Sequence, residues 1–238
     1  MKKKNVLSSV AAMMLFLTGT TLSGASVRQE RSVRSFNGIS IVLSADVELR
    51  QGPATKVILE GPESFLEKVE TTVEGGMLKI RFYKKYSGNR APKGRIRIFI
   101  TTPHMERIYV TGSAVVKAVT PLHTKGDLKT GVTGSGQMLI PELQAASVKA
   151  SVTGSGTIRL GGKGSVEDLY VLVTGSGQIR AEELPARNVK AVITGSGNAY
   201  VRAEENLKVN ITGSGVLHYR GPAIIDAHIT GSGNLVKE

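Results

Sequence analysis

The stretch from Lys79 to Arg97 holds eight Lys or Arg residues and no acid, interleaved with Phe82, Tyr83 and Tyr86. Guanidinium and ammonium groups gathered on one surface hold phosphate or carboxylate through charge-assisted hydrogen bonds. Alternation directs Leu78, Ile80 and Phe82 inward with Lys79, Arg81 and Tyr83 outward. Beyond a loop it directs Ile96, Ile98 and Ile100 inward with Arg95 and Arg97 outward. If the two strands are neighbours, Lys79, Arg81, Arg95 and Arg97 form one compact cationic patch, the predicted binding site. The competing reading is a solvated basic strand pair that keeps a sheet edge from aggregating.

Other residue types point to chemistry less strongly. Glycoside hydrolysis needs two carboxyls across a cleft, and the acids here are scattered. Glu182-Glu183 and Glu204-Glu205 stand one repeat apart at the same post-strand position and are expected to line one edge, as a solvated corner rather than a catalytic pair. His104, His123, His218 and His228 lack metal-ligand spacing. No catalytic residue, metal or cofactor is therefore assigned.

These residues sit on a repeat. Thr-Gly-Ser-Gly occurs at Thr133, Thr153, Thr174, Thr194, Thr212 and Thr230, with Thr-Gly-Ser-Ala at Thr111, at spacings of 22, 20, 21, 20, 18 and 18 residues. The residue before each Thr is aliphatic (Val110, Val132, Val152, Val173, Ile193, Ile211, Ile229), and apolar residues recur six and eight places after that residue, until Lys237 breaks the second series. A side-chain period of two means a short strand, a Gly-Ser-Gly corner and a second short strand. One such turn cannot bury its own inner face, whereas stacked turns share a core. The predicted fold is all-β: a single-stranded right-handed parallel β-helix with coils of about 20 residues. A sandwich of short strands is the rival, but its hairpins do not call for one corner peptide in one register seven times.

At the corners, Gly permits a tight bend and Thr and Ser hydroxyls are expected to stack in hydrogen-bonded ladders. Calcium binding is disfavoured, because no corner contains the Asp that supplies hard oxygen ligands. The first corner, Ser113-Ala114, lacks its second Gly, which puts the positive-φ geometry there in question. Residues 36–105 lack the corner peptide and read as irregular early coils that cap the N-terminal end, with one or two helical turns between Pro62 and Val69. Regular coils fill 106–238. The third corners hold Pro121, Gly161-Gly162, Pro185 and Gly221-Pro222.

Lys2, Lys3 and Lys4, an apolar run from Val6 to Leu17 and small residues up to Ala25 form a secretory signal over residues 1–25. The run is too short to anchor in a membrane, and no later stretch is apolar enough to span one. The remaining chain, 26–238, is expected to be one elongated domain of about ten coils. Its formal charge falls from +12 by three lysines to +9. Cysteine is absent, which excludes disulfides and zinc-thiolate sites.

The aliphatic-Thr-Gly-Ser-Gly corner, the stretch Phe36-Asn37-Gly38-Ile39 to Leu49-Arg50-Gln51-Gly52, and Gly-Gly-Met-Leu-Lys-Ile at 75–80 together resemble the auto-transporter adhesin head GIN domain family. The resemblance covers about residues 36–235. It implies an exported right-handed β-helix and assigns no catalytic residue.

Taken together, the expectation is a non-enzymatic, adhesin-like binding module, in the periplasm or on the outer surface of a bacterium with an outer membrane. Its expected partners are acidic glycan or lipopolysaccharide at the Lys79, Arg81, Arg95 and Arg97 patch, without specific nucleic-acid recognition. A polysaccharide-processing enzyme and a purely structural envelope protein are the alternatives. The last coil, with only Lys237 and Glu238 to blunt its edge, is the expected site of self-association.

Overall fold

The computed structural model describes residues 26–86 and 91–238; the signal segment lies outside them. The chain winds into a β-solenoid whose strands stack in parallel on two main walls. On the first wall Thr111, Thr133, Thr153, Thr174, Thr194, Thr212 and Thr230 are paired each to the next, so the seven corners form one longitudinal row. The aliphatic residues before them, from Val110 to Ile211, are buried, and so are Val116, Met138, Ile158, Ile179, Ala199 and Leu217 after the corner. The inner faces merge into one apolar core along the stack.

The two corner glycines serve different ends. The first takes φ between +102° and +117° in all seven corners, a region open to Gly alone at little cost. The second has no positive φ. A Cβ there would lie 2.3–2.6 Å from the γ-carbon of Val110, Val132, Val152, Val173, Ile193 or Ile211, the inward residue one coil back. Ala114 therefore leaves the geometry of its corner intact: Gly112, the bending residue, keeps φ +102°. The coil before it carries Val42-Leu43-Ser44-Ala45 in the corner position, as the pairings Ile41 with Val110 and Asp46 with Val115 establish.

The expected hydroxyl ladder is not what joins the corners. Backbone does so: the Ser135, Ser155, Ser176, Ser196 and Ser214 N–H groups each donate to the carbonyl of the first glycine one coil back, at 2.9–3.0 Å. Two residues on, Gln137, Thr157, Gln178 and Asn198 donate to the Ala114, Gly136, Gly156 and Gly177 carbonyls. Peptide groups at a tight corner have no other strand to bond, so the previous coil must satisfy them. Among the described residues the one hydroxyl pair in the row is Ser44 with Ser113, at 2.8 Å.

The early region departs from chain order. Gly38–Val42 lies between Met77–Phe82 and Arg107–Gly112 on the first wall, and Ala45–Gln51 lies between Ile96–Thr102 and Val115–Ala118 on the second, all parallel. The first coil in sequence is thus the second in space, and the coil formed later by Met77–Phe82 and Ile96–Thr102 lies outside it. Capping is left to antiparallel strands: Val69–Glu74 on the first wall, and Lys56–Pro62 followed by Ser26–Glu30 on the second. The turn Glu63–Leu66 is helical and buries Phe65 and Leu66.

The third side is short and variable. Leu122–His123 pairs with Leu143–Gln144 there, while Gln178–Gly195 and Asn198–Gly213 run through it as continuous strands with register shifts near Pro185. Differences in coil length are absorbed on this side. At the far end of the stack Ile224–Thr230 pairs, among the described residues, with Asn198–Gly213 alone, and Ile224, Ile225 and Ile229 stand exposed.

Candidate functional site

The four residues of the expected patch do not share one sheet face. Met77–Phe82 has Gly38–Val42 and Val69–Glu74 as neighbours, and Ile96–Thr102 has Ala45–Gln51 and Lys56–Pro62. The two basic strands therefore lie on different walls. Alternation fixes which way a side chain points, but not which strand lies beside it. The neighbouring strands also bring acids. Lys79 Nζ lies 2.5 Å from Glu74 Oε2, Arg81 Nε 2.7 Å from Glu70 Oε2, Arg95 Nη2 2.5 Å from Asp46 Oδ1 and Arg97 Nη2 2.7 Å from Glu60 Oε1. The Lys79 hydrogen bond and charge hold the Glu74 carboxyl below its ordinary range. The Glu70 hydrogen bond and charge push Arg81 up.

A cleft of about 770 Å³ opens at the head of the corner row, between Val42, Leu43, Phe82, Tyr83, Pro92 and Thr111, with the Arg81 and Glu70 pair on its wall. A second, of about 840 Å³, lies on the third side and contains His104 and His123. His123 is held there by Gln51 and Gln144. Its Nδ1 donates to Gln144 Oε1 at 2.8 Å, its N–H donates to Gln51 Oε1, and its carbonyl accepts from Gln51 Nε2. Among the described residues no three His, Asp or Glu side chains are grouped to hold a metal.

The acidic pairs do not line up across the coils. Ala186 is opposite Ala203 and Asn188 opposite Asn206, so Glu204 and Glu205 face Arg187 rather than Glu182 and Glu183. Arg187 bonds Glu205 at 2.8 Å and Glu167 at 3.1 Å, Arg202 bonds Glu204 at 2.7 Å, and Arg180 bonds Glu182 at 2.5 Å. Those partners raise Arg180 and Arg187. Arg180 also lies over Tyr200, 4.6 Å from the ring centre, and Tyr200 stacks on His218 at 4.5 Å.

A longer basic feature escaped the sequence reading. Four places before each corner Thr the register aligns Arg107, Lys129, Lys149, Tyr170, Lys190, Lys208 and Asp226. Strands stack about 4.8 Å apart, so Arg107 to Lys208 spans roughly 24 Å on the outer face. Lys208 is paired with Asp226 at 3.1 Å, and Arg107 donates to Asn37 and Gly75. Lys129, Lys149 and Lys190 are exposed and have no carboxylate at ion-pair distance among the described residues. Tyr170 lies between Lys149 and Lys190, with their ammonium groups 5.0 and 5.7 Å from its ring centre. Counting back from each Thr would have found the row.

Comparison with curated proteins finds no match. Among solved structures the fold matches a "putative adhesin" from Bacteroides fragilis (TM-score 0.81, 22% identity, 90% of this chain and 97% of that one). It also matches a "Putative lipid binding protein" from Parabacteroides distasonis (TM-score 0.72, 26% identity, 91% and 98%). A third match is a "putative adhesin" from Parabacteroides merdae (TM-score 0.70, 22% identity, 91% and 97%). Residues 35–223 match the sequence profile of one family, and with its corner row and solenoid fold the chain belongs to the family described as "Putative auto-transporter adhesin, head GIN domain".

Proposed function

We propose that this protein is an exported, non-catalytic surface-interaction module that engages polyanions of the cell envelope, such as acidic glycan or lipopolysaccharide. The observation that carries the reading is the row of Lys129, Lys149 and Lys190 on the outer face of the first wall, without carboxylate partners. Like charges set directly opposite one another on adjacent strands disfavour folding. A row of ammonium groups at strand spacing fits a ligand that carries repeated negative charge, and Tyr170 offers a flat apolar surface in its midst. Membership of an adhesin family and the solenoid scaffold support a surface role. The Glu182, Glu204 and Glu205 carboxylates of the acidic pairs are held by Arg partners, which suits surface ion pairs better than a general acid and base.

Binding of heparin and of purified lipopolysaccharide, measured at two salt concentrations, tests the reading. Replacing Lys129, Lys149 and Lys190 with Ser should remove most of the affinity and flatten its salt dependence. Replacing Lys79, Arg81, Arg95 and Arg97 with Ser is the contrasting arm, expected to weaken binding less because those groups already have carboxylate partners. Equal affinity in the wild type and the triple variant would overturn the stripe as the binding surface.

A further inference from the structure

The strand Ile224–Thr230 forms the outer edge of the first wall at the far end of the stack, and among the described residues no strand pairs on its outer side. Ile225, Ala227 and Ile229 continue the inward rows of Leu207, Val209 and Ile211, while Asp226 and His228 point outward. Each preceding coil buries its inward residues. Here Ile225 is 40% and Ile229 38% exposed, and Ile224 beside them is 78% exposed. Such an edge is a template for another strand.

The sequence of that edge is close to its own mirror image: Ile225-Asp226-Ala227-His228-Ile229. From this we infer that the end of the solenoid is a self-complementary interface at which two copies join by antiparallel pairing about a two-fold axis through Ala227. Antiparallel pairing centred on Ala227 sets Ile225 of each copy opposite Ile229 of the other and Asp226 opposite His228, twice in each dimer. The apolar residues then meet on the inner side, and on the outer side each Asp226 carboxylate meets an imidazole whose N–H can donate to it, as a two-fold interface requires of one patch used twice.

A head-to-tail stack is less suited to the same edge. At the other end of the first wall Val69–Glu74 presents Glu70 and Glu74 and would bring carboxylates toward Asp226, whose own partner is Lys208. It offers no match for three exposed isoleucines. A closed dimer also uses up the open edge, whereas head-to-tail contacts propagate into fibres.

The native chain contains no cysteine, so a single introduced thiol is an unambiguous probe. Residues directly opposite in an antiparallel pair have Cα atoms about 4.5–5.5 Å apart, within the span of a disulfide. The full chain bearing Ala227→Cys should form a covalent dimer under mild oxidation, and one bearing Lys149→Cys should not. Light scattering of the unmodified chain should show a dimer that does not grow further with concentration. His228→Asp sets two pairs of carboxylates opposite each other and should weaken the dimer roughly tenfold. Asp226→His combined with His228→Asp again sets a carboxylate opposite an imidazole and should recover it. Circular dichroism of each variant confirms that the coil is folded. A monomer at all concentrations, open-ended growth, equal crosslinking at 149 and 227, or no rescue by the exchanged pair would each overturn the interface.

Discussion

Arg95 reaches from its own coil across the next, donating to the Ala45 carbonyl and, a coil further, to the Ser113 carbonyl, each at 3.0 Å. Its partner carboxylate is Asp46, in the coil that lies between. One side chain therefore ties together three coils whose order in the stack differs from their order in the sequence.

Hydrogen bonds from a charged donor to backbone contribute more than a surface ion pair, about 1.5–3 kcal/mol against 0–1. Arg95→Ala should accordingly lower stability by about 2 kcal/mol in a urea titration. Asp46→Asn, which removes only the ion pair, should cost less than half as much. Equal losses would mean that the carbonyl contacts are of no account.

Val173 is fully buried, in register between Val152 and Ile193. Val173→Asp places an unpaired carboxylate in the dry core and should destabilise by at least about 3 kcal/mol. Val173→Ala leaves a small cavity and should cost distinctly less. Thermal or denaturant unfolding of the two variants checks the order.

The two kinds of corner glycine make separable predictions. Gly112 has φ +102° but open space at a Cβ, whereas Gly175, at φ +107°, would set a Cβ 2.7 Å from the Gly154 carbonyl oxygen. Gly112→Ala should therefore cost only backbone strain, about 1–3 kcal/mol, and Gly175→Ala clearly more. Gly177→Ala collides with the Val152 γ-carbon at 2.3 Å, and Val152→Ala should partly rescue it in unfolding experiments while leaving Gly175→Ala uncorrected.

Glu74 offers a test by titration. Its carboxyl is held below the ordinary value by the hydrogen bond and charge of Lys79. A group depressed in the folded state contributes stability above its unfolded pKa and loses it as pH falls through the folded value. NMR titration of the Glu74 carboxyl should show the lowered midpoint, and Lys79→Met should return it toward the ordinary range.

The repeated part of the fold was legible because each corner states its own register. An aliphatic residue, a Thr and a bending Gly recur together, so in-and-out alternation and coil stacking follow from counting. The early coils were not legible in the same way. Ile39, Ile41, Val47 and Leu49 announce two inward-facing strands, but nothing in alternation says that they slot between residues 77–102 and 107–118. The one hint was Ser44-Ala45, which matches Ser113-Ala114 and pairs with it through the two serine hydroxyls. The cationic patch depended on which strands were neighbours, and so it divided onto two walls. Its acids come partly from strands far away in sequence, Asp46 and Glu60, and partly from the hairpin strand just before, Glu70 and Glu74. The lysine row needed only the spacing from each Thr, and was passed over because its members lie 18 to 22 residues apart rather than in a run.

Because each corner is shaped by the one before it, with the second glycine fitted against the previous aliphatic residue and its amides bonded to the previous carbonyls, a coil is a unit of manufacture as well as of packing. A whole coil inserted or deleted meets the same two faces that it left, while the third side takes up any difference in length. A molecule built this way can grow longer without growing wider, and every added coil lengthens the charged row by one more step.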